Sequence, residues 1–183
     1  MKPVKEHLLI ITAVVLCLAV VLGFWLQLRA DAPRVGDELF GEKIVSIWKG
    51  SCDGISDGDS ISVRNSRGEH FSIRLAGIDA PQRFQAWGYE AKELIFDYAL
   101  GESITVLETG KELSGQKIGF VLVNGRNVNV EMLKRGAAWF DENHSTSVEL
   151  KAIEQYARER KFGLWSSSKT PQAPWEFPHW GTD

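Results

Sequence analysis

The chain has 183 residues, 44% of them hydrophobic and 25% charged, with seven tryptophans and nine phenylalanines. That composition excludes wholesale disorder and supplies enough bulky apolar surface for one compact domain. The formal net charge is −3, and setting aside Lys2, Lys5, Glu6 and Arg29 of the N-terminal segment leaves 18 basic and 23 acidic residues, a net of −5, which excludes whole-protein steering toward nucleic acid.

In chain order, residues 1–7 precede an uncharged apolar run, Leu8 to Leu26, of 19 residues. A bilayer-crossing helix needs about 20, whereas a secretory signal core usually has about 7–15. Residues 8–28 therefore read as one transmembrane helix. Lys2 and Lys5 before it favour a cytoplasmic N-terminus and an exported domain. Ala30-Asp31-Ala32 has the small-x-small pattern of a cleavage site, but Pro33 follows it closely and favours an uncleaved anchor. Residues 29–40 read as a linker, 41–165 as the domain and 166–183 as an aromatic and proline-rich tail. Cys17 lies in the apolar run and Cys52 in the domain, so no internal disulfide is expected.

Within the domain, Lys43 to Trp48 is a candidate strand. Ser60 to Asn65 alternates, with Ile61 and Val63 on one face. Ser66-Arg67-Gly68 is a turn, and Glu69 to Ile78 alternates again through Phe71, Ile73 and Leu75. Ala91, Leu94, Ile95 and Tyr98 recur at helical spacing between Trp87 and Ala99. Strands are expected at Ser103 to Glu108 and Lys117 to Val123, the second closed by Asn124-Gly125. A short helix follows over Val128 to Lys134. Thr146 with Glu149 forms a capping box that opens a helix to about Lys161, ended by Gly163. This order predicts an α+β fold, a small closed barrel of antiparallel strands with helices at its ends.

The chemistry-bearing residues sit at strand ends. Asp59 lies in Asp57-Gly58-Asp59-Ser60, and Asp79 in Arg74-Leu75-Ala76-Gly77-Ile78-Asp79-Ala80-Pro81. Two carboxylates at strand ends can share a hard cation, and an adjacent arginine can grip phosphate with its bidentate fork. Carboxylates, a divalent ion and arginine are the components of phosphodiester cleavage. The four histidines, His7, His70, His144 and His179, show no metal-ligand spacing and read as structural or surface residues. Trp175, Phe177 and Trp180 read as aromatics that pin the tail, with stacking on sugars or bases as the alternative.

These motifs, with Trp87-Gly88-Tyr89-Glu90, Asn124 to Asn129, Leu133 to Gly136, Arg160 to Trp165 and the closing Pro174 to Phe177, resemble the staphylococcal nuclease family over residues 43 to 177. The resemblance implies a five-stranded OB-fold barrel with three helices. It also implies that Asp59 and Asp79 bind Ca²⁺ and that Arg74 grips phosphate. In active members a glutamate that activates water stands three residues after the second aspartate; here it is Gln82. The second catalytic arginine falls at Gln116. Lys117 and Arg83 adjoin these positions and read as solvated surface charges.

A neutral amide cannot take a proton from water, which removes general-base help worth about 10²–10⁴-fold. Losing a cationic donor at the developing phosphorane costs about 10²–10³-fold. The expected function is a membrane-anchored nuclease-fold protein with weakened or lost phosphodiesterase activity, displayed outside the bacterial inner membrane, or secreted if cleaved. It would bind nucleic acid or another anionic polymer in a calcium and phosphate cleft. Two alternatives stand beside it: a working calcium-dependent endonuclease, and an accessory protein of exopolysaccharide or cell-envelope biosynthesis.

Overall fold

The computed structural model describes residues 32–168 and 171–177. The apolar run 8–28 with its flanks, Cys17, His7, His179 and Trp180 lie outside these residues. Among the described residues no helix is long and apolar enough to cross a membrane.

Alternation of apolar side chains sets the strands. A short hairpin, β1 (Glu38–Leu39) with β2 (Glu42–Lys43), leads into β3 (Ser46–Ile55), β4 (Ser60–Asn65) and β5 (His70–Leu75). Ile61, Val63, Ile73 and Leu75 are all buried, so the faces read from period-two alternation point into one core. After β6 (Ile78–Asp79) come α1 (Gly88–Ala99), β7 (Ser103–Leu113), β8 (Gln116–Val123), β9 (Arg126–Asn127), α2 (Val128–Lys134), β10 (Trp139–Phe140) and α3 (Val148–Glu159). Two 3₁₀ turns, Gly163–Ser166 and Pro174–Glu176, follow.

The main sheet runs β5-β4-β3-β7-β8-β9. It closes on itself because β5 also pairs with β8 in parallel, at Ile73↔Lys117, Arg74↔Ile118 and Leu75↔Gly119. This is the five-stranded barrel with three helices that the resemblance implies. Its core is filled by fully buried Phe120, Ile44, Ile95, Ile104, Met132 and Leu150, each contributing roughly 1.5–3 kcal/mol by leaving water. A second cluster joins Trp139, Ala157, Leu164, Trp165 and Ala173, with Trp87 packed against it. The Trp139 and Trp165 rings meet edge to face at 5.3 Å, and the Arg158 guanidinium lies 3.8 Å from the Trp165 ring centre.

Several boundaries differ from the sequence reading. The hairpin and Phe40, whose ring lies 5.5 Å from that of Phe120, place part of the expected linker 29–40 inside the fold. The first barrel strand is β3, running on to Ile55, because it pairs with β4 on one edge and β7 on the other. Ala76-Gly77 interrupts the expected Glu69 to Ile78 strand. The cap of α3 is Ser147, whose Oγ accepts from Leu150 N at 3.1 Å and donates to Glu149 Oε2 at 3.0 Å. Thr146 lies one residue too early to reach the third helical N–H. Gly163 opens a 3₁₀ turn after α3 has closed at Arg160. Ala173 is buried, so the tail packs onto the domain. Cys52 is buried and unpaired, its Sγ 3.5 Å from Gly54 O.

Candidate active-site cleft

Strand register brings the predicted residues together. Ser60 faces Arg74 across β4 and β5, and Leu75 N donates to Asp59 O at 2.8 Å. Asp59 thus lies at the end of β4, level with the Arg74–Leu75 end of β5. Asp79 returns to the same place because β6 pairs with β10, Asp79 opposite Trp139. The loop carrying Asp59 is wedged in position: a Cβ on Gly58 would lie 2.7 Å from Ala80 Cβ and 2.8 Å from Ala91 Cβ. Only a residue without a side chain lets Asp57-Gly58-Asp59 sit this close to α1 and to the segment after Asp79.

Arg74 bridges the two carboxylates. Its Nη1 donates to Asp59 Oδ1 at 3.1 Å and its Nη2 to Asp79 Oδ1 at 2.9 Å. Asp59 is almost fully buried and also accepts from Ser60 Oγ on Oδ1 at 2.9 Å and from Ala80 N on Oδ2 at 2.9 Å. Asp57 Oδ1 accepts from Asp59 N at 3.2 Å.

Burial dominates the electrostatics. It pushes the Asp57 carboxyl up to about 6, helped by the neighbouring Asp59 charge. It also holds Asp59 and Asp79 above the usual carboxylate range, with the Arg74 charge pulling both the other way. Burial opposes the charge on Arg74, but Asp59 and Asp79 outweigh it and raise its pKa. The guanidinium therefore stays charged between acids that hold protons more tightly than free carboxylates do.

These groups form the floor of a cleft of about 490 Å³. One wall is the turn after Pro81. Gln82 N donates to Gln85 Oε1 at 3.1 Å, and Gln85 N donates to Gln82 O at 2.8 Å. The turn folds back so tightly on α1 that a Cβ at Gly88 would lie 2.0 Å from Gln82 O. Gln82 lines the cleft, and so does Arg83, whose guanidinium lies over the Phe84 ring at 5.5 Å. Arg83 is exposed at the cleft edge, a solvated charge as read from the sequence.

Gln116 is not brought into this cleft. Its Nε2 donates to Ser72 Oγ at 2.8 Å on the barrel wall. Lys117 is committed to Glu108 at 3.1 Å and to the face of Phe71. Leu113, three residues before Gln116, lines the cleft instead.

Phe84, Pro174, Trp175 and Phe177 complete the lining. Trp175 and Phe177 were read chiefly as tail pins, and Phe84 carried no sequence signal at all. Pro174–Trp175–Glu176 is a turn held at the cleft by a contact 87 residues distant in sequence, Gln85 Nε2 to Gln172 O at 2.5 Å. A second hollow of about 240 Å³ shares Arg74 and Leu113 with the cleft. It holds Asp141, which accepts from His144 Nδ1 at 2.9 Å, so His144 is a partly exposed surface group tied to a buried carboxylate.

The cleft's anionic donors, Asp59 and Asp79, are oxygen ligands of the kind a hard divalent cation takes. Among the described residues no three acidic, histidine or cysteine side chains converge on one point. An ion held by Asp59 and Asp79 would have to draw its other ligands from backbone oxygen and water. The donor set fits calcium in kind and is sparse in number.

The family model described as "Staphylococcal nuclease homologue" matches residues 72–167, a span that contains Arg74, Asp79, Gln82 and Gln116 and begins after Asp59. An "Uncharacterized endonuclease" of Escherichia coli O157:H7 is 36% identical over 126 residues, 68% of this chain and 81% of its own. The "Micrococcal nuclease" of Shigella flexneri is 30% identical over 141 residues, 71% of this chain and 80% of its own. The "Staphylococcal-like nuclease CAN1" of Arabidopsis thaliana is 35% identical over 119 residues, 64% of this chain and 36% of its own.

Proposed function

This chain belongs to the staphylococcal nuclease family, and from that premise we propose that it binds nucleic acid by its phosphodiester backbone and hydrolyses it slowly. The observation that carries this reading is Arg74 bridging Asp59 and Asp79 on the floor of the cleft, with amides at the other two catalytic positions.

Arg74 has five N–H donors and spends two on carboxylates, so it can offer others to a phosphate oxygen. Asp59 and Asp79 are the residues that would hold calcium, which supplies Lewis-acid polarisation of a phosphoryl oxygen when bound. Gln82 stands at the cleft edge, where its amide oxygen can orient a water, as a glutamine does in some GTPases. It cannot accept the proton that water must lose. Gln116, engaged by Ser72, adds no positive charge where negative charge develops. Binding is retained under this reading and the chemical step is slowed.

We read residues 8–28 as an anchor that holds the domain outside the cytoplasmic membrane. Its support is the uncharged run Leu8 to Leu26 with Lys2 and Lys5 before it.

The direct test is cleavage of single-stranded DNA by the full chain with calcium or with chelator, beside Asp59→Ala. The expected result is tight binding with slow, calcium-dependent cleavage that Asp59→Ala abolishes. Rapid multiple turnover by the native chain would make it a proficient endonuclease and overturn the slow step. Cleavage unaffected by Asp59→Ala would place the activity elsewhere.

A further inference from the structure

Phe84 is 79% exposed and Trp175 is 38% exposed, yet both line the cleft whose floor is Arg74. Large aromatic side chains left in water forfeit burial energy, and two of them at the mouth of one charged cleft call for an occupant. Among the described residues neither ring pairs with another aromatic ring. The Arg83 guanidinium lies over the Phe84 ring at 5.5 Å.

Both rings are carried on braced backbone segments. Phe84 sits in the turn that Gln82 and Gln85 close through two hydrogen bonds, with Gly88 backed against it. Trp175 sits in the 3₁₀ turn Pro174–Glu176, which Gln172 steadies by donating from Nε2 to Glu176 O at 2.8 Å. The Gln85 to Gln172 bond then ties the two segments to each other. Rings placed in this way lose little freedom on binding, which is the condition for a recognition surface.

We infer that Phe84 and Trp175 form a stacking subsite for the unpaired bases of a single-stranded nucleic acid whose phosphate lies at Arg74. This inference rests on the reading of the cleft as a phosphodiester site. A flat aromatic face accepts any base and gives affinity without sequence preference, and Arg83 adds a cation beside it. A duplex hides its base faces and cannot use the subsite. The 171–177 segment is therefore part of the substrate-binding wall, and Phe84 and Trp175 act as specificity-determining residues.

The test measures binding of the full chain to a short oligothymidylate, to an abasic oligomer of the same length, and to alginate oligomers, an anionic polymer without bases. Tryptophan fluorescence and anisotropy give the affinities across a salt series. The native chain should bind oligothymidylate about 10- to 100-fold more tightly than the abasic strand. Phe84→Ala and Trp175→Ala should each cut that preference by about 5-fold or more while leaving the salt slope, which counts phosphate contacts, unchanged. Phe84→Tyr and Trp175→Phe should keep it. Both rings lie at the surface, and the Phe84 variants do not touch the tail, so a folding defect in one series leaves the other decisive. Equal affinity for the base-bearing and abasic strands overturns the stacking subsite and leaves the phosphate cleft standing. Tighter alginate binding lost in both alanine variants assigns the rings to a polysaccharide and overturns the base. Failure to bind any of the three overturns both this inference and the proposed function.

Discussion

Gln116 donates from Nε2 to Ser72 Oγ at 2.8 Å, so the side chain at the family's second arginine position faces the barrel wall and not the cleft. An arginine there is longer than glutamine and keeps its charge at all working pH values. Gln116→Arg combined with Gln82→Glu is expected to raise single-turnover cleavage of single-stranded DNA by on the order of 10²-fold or more. The gain should differ from the product of the single reversions, because a base and a charge stabiliser act as a unit. Quenched-flow or gel assays of the four proteins measure this, and a double reversion no faster than native would mean the cleft lacks more than these two groups.

Asp59 is buried at the end of β4 and depends on Arg74 for its compensating charge. Arg74→Ala is expected to destabilise the domain by about 3–5 kcal/mol at neutral pH, the usual cost of orphaning one partner of a buried pair. Asp59 can take up a proton to escape that cost. The loss should therefore shrink as pH falls toward 4, and urea unfolding of native and variant at both pH values reads the difference.

Asp57 offers a separate pH test. Its folded-state pKa is about 6 against an ordinary value of 3.8, so the folded protein binds the proton more tightly than the unfolded chain. Its contribution is fully present below pH 3.8 and is lost as pH rises through 6. At about 1.36 kcal/mol per pKa unit, the native chain should lose roughly 2–3 kcal/mol over this range relative to Asp57→Asn. Parallel urea titrations with chelator present, across pH 4 to 7.5, check the sign; equal slopes for the two proteins would place the Asp57 carboxyl at its ordinary pKa.

Gly58→Ala inserts a methyl group 2.7 Å from Ala80 Cβ and 2.8 Å from Ala91 Cβ. Overpacking of this kind costs about 1–3 kcal/mol, and here it would also push Asp59 away from Arg74. Adding Ala91→Gly should recover part of the lost stability by making room, despite the roughly 1 kcal/mol that glycine costs inside a helix. A double-mutant cycle on melting curves isolates the coupling, and purely additive effects would show that Gly58 and Ala91 do not meet.

Much of the fold was legible because burial and alternation coincide. Ile61 and Val63, then Ile73 and Leu75, were read as inward faces and are buried. Asp59, Arg74 and Asp79 were legible as one constellation, because strand-end motifs at matched spacing converge when the strands pair. What stayed hidden depends on distant partners. The run of β3 through Gly50, Ser51 and Gly54 has weak strand propensity and is extended because β4 and β7 hold it on both sides. Thr146 and Ser147 are equivalent caps in sequence, and only the backbone path decides between them. Phe84 and Trp175 share a cleft through the Gln85 to Gln172 bond, which has no local signature. The direction of the Gln116 side chain is set by Ser72, 44 residues away in sequence.

The seam that shuts the barrel consists of three parallel pairs, and Arg74 is the middle one, opposite Ile118. Its two strands lie more than forty residues apart in sequence, the type of long-range pairing that slows folding. Arg74, on the floor of the cleft, is therefore mounted on the latch of the fold. An occupant of the cleft binds only the closed barrel and stabilises it by mass action. The gain should appear as a higher denaturant midpoint when the cleft is occupied. Occupancy of the cleft can thus be read from the stability of the fold as well as from cleavage.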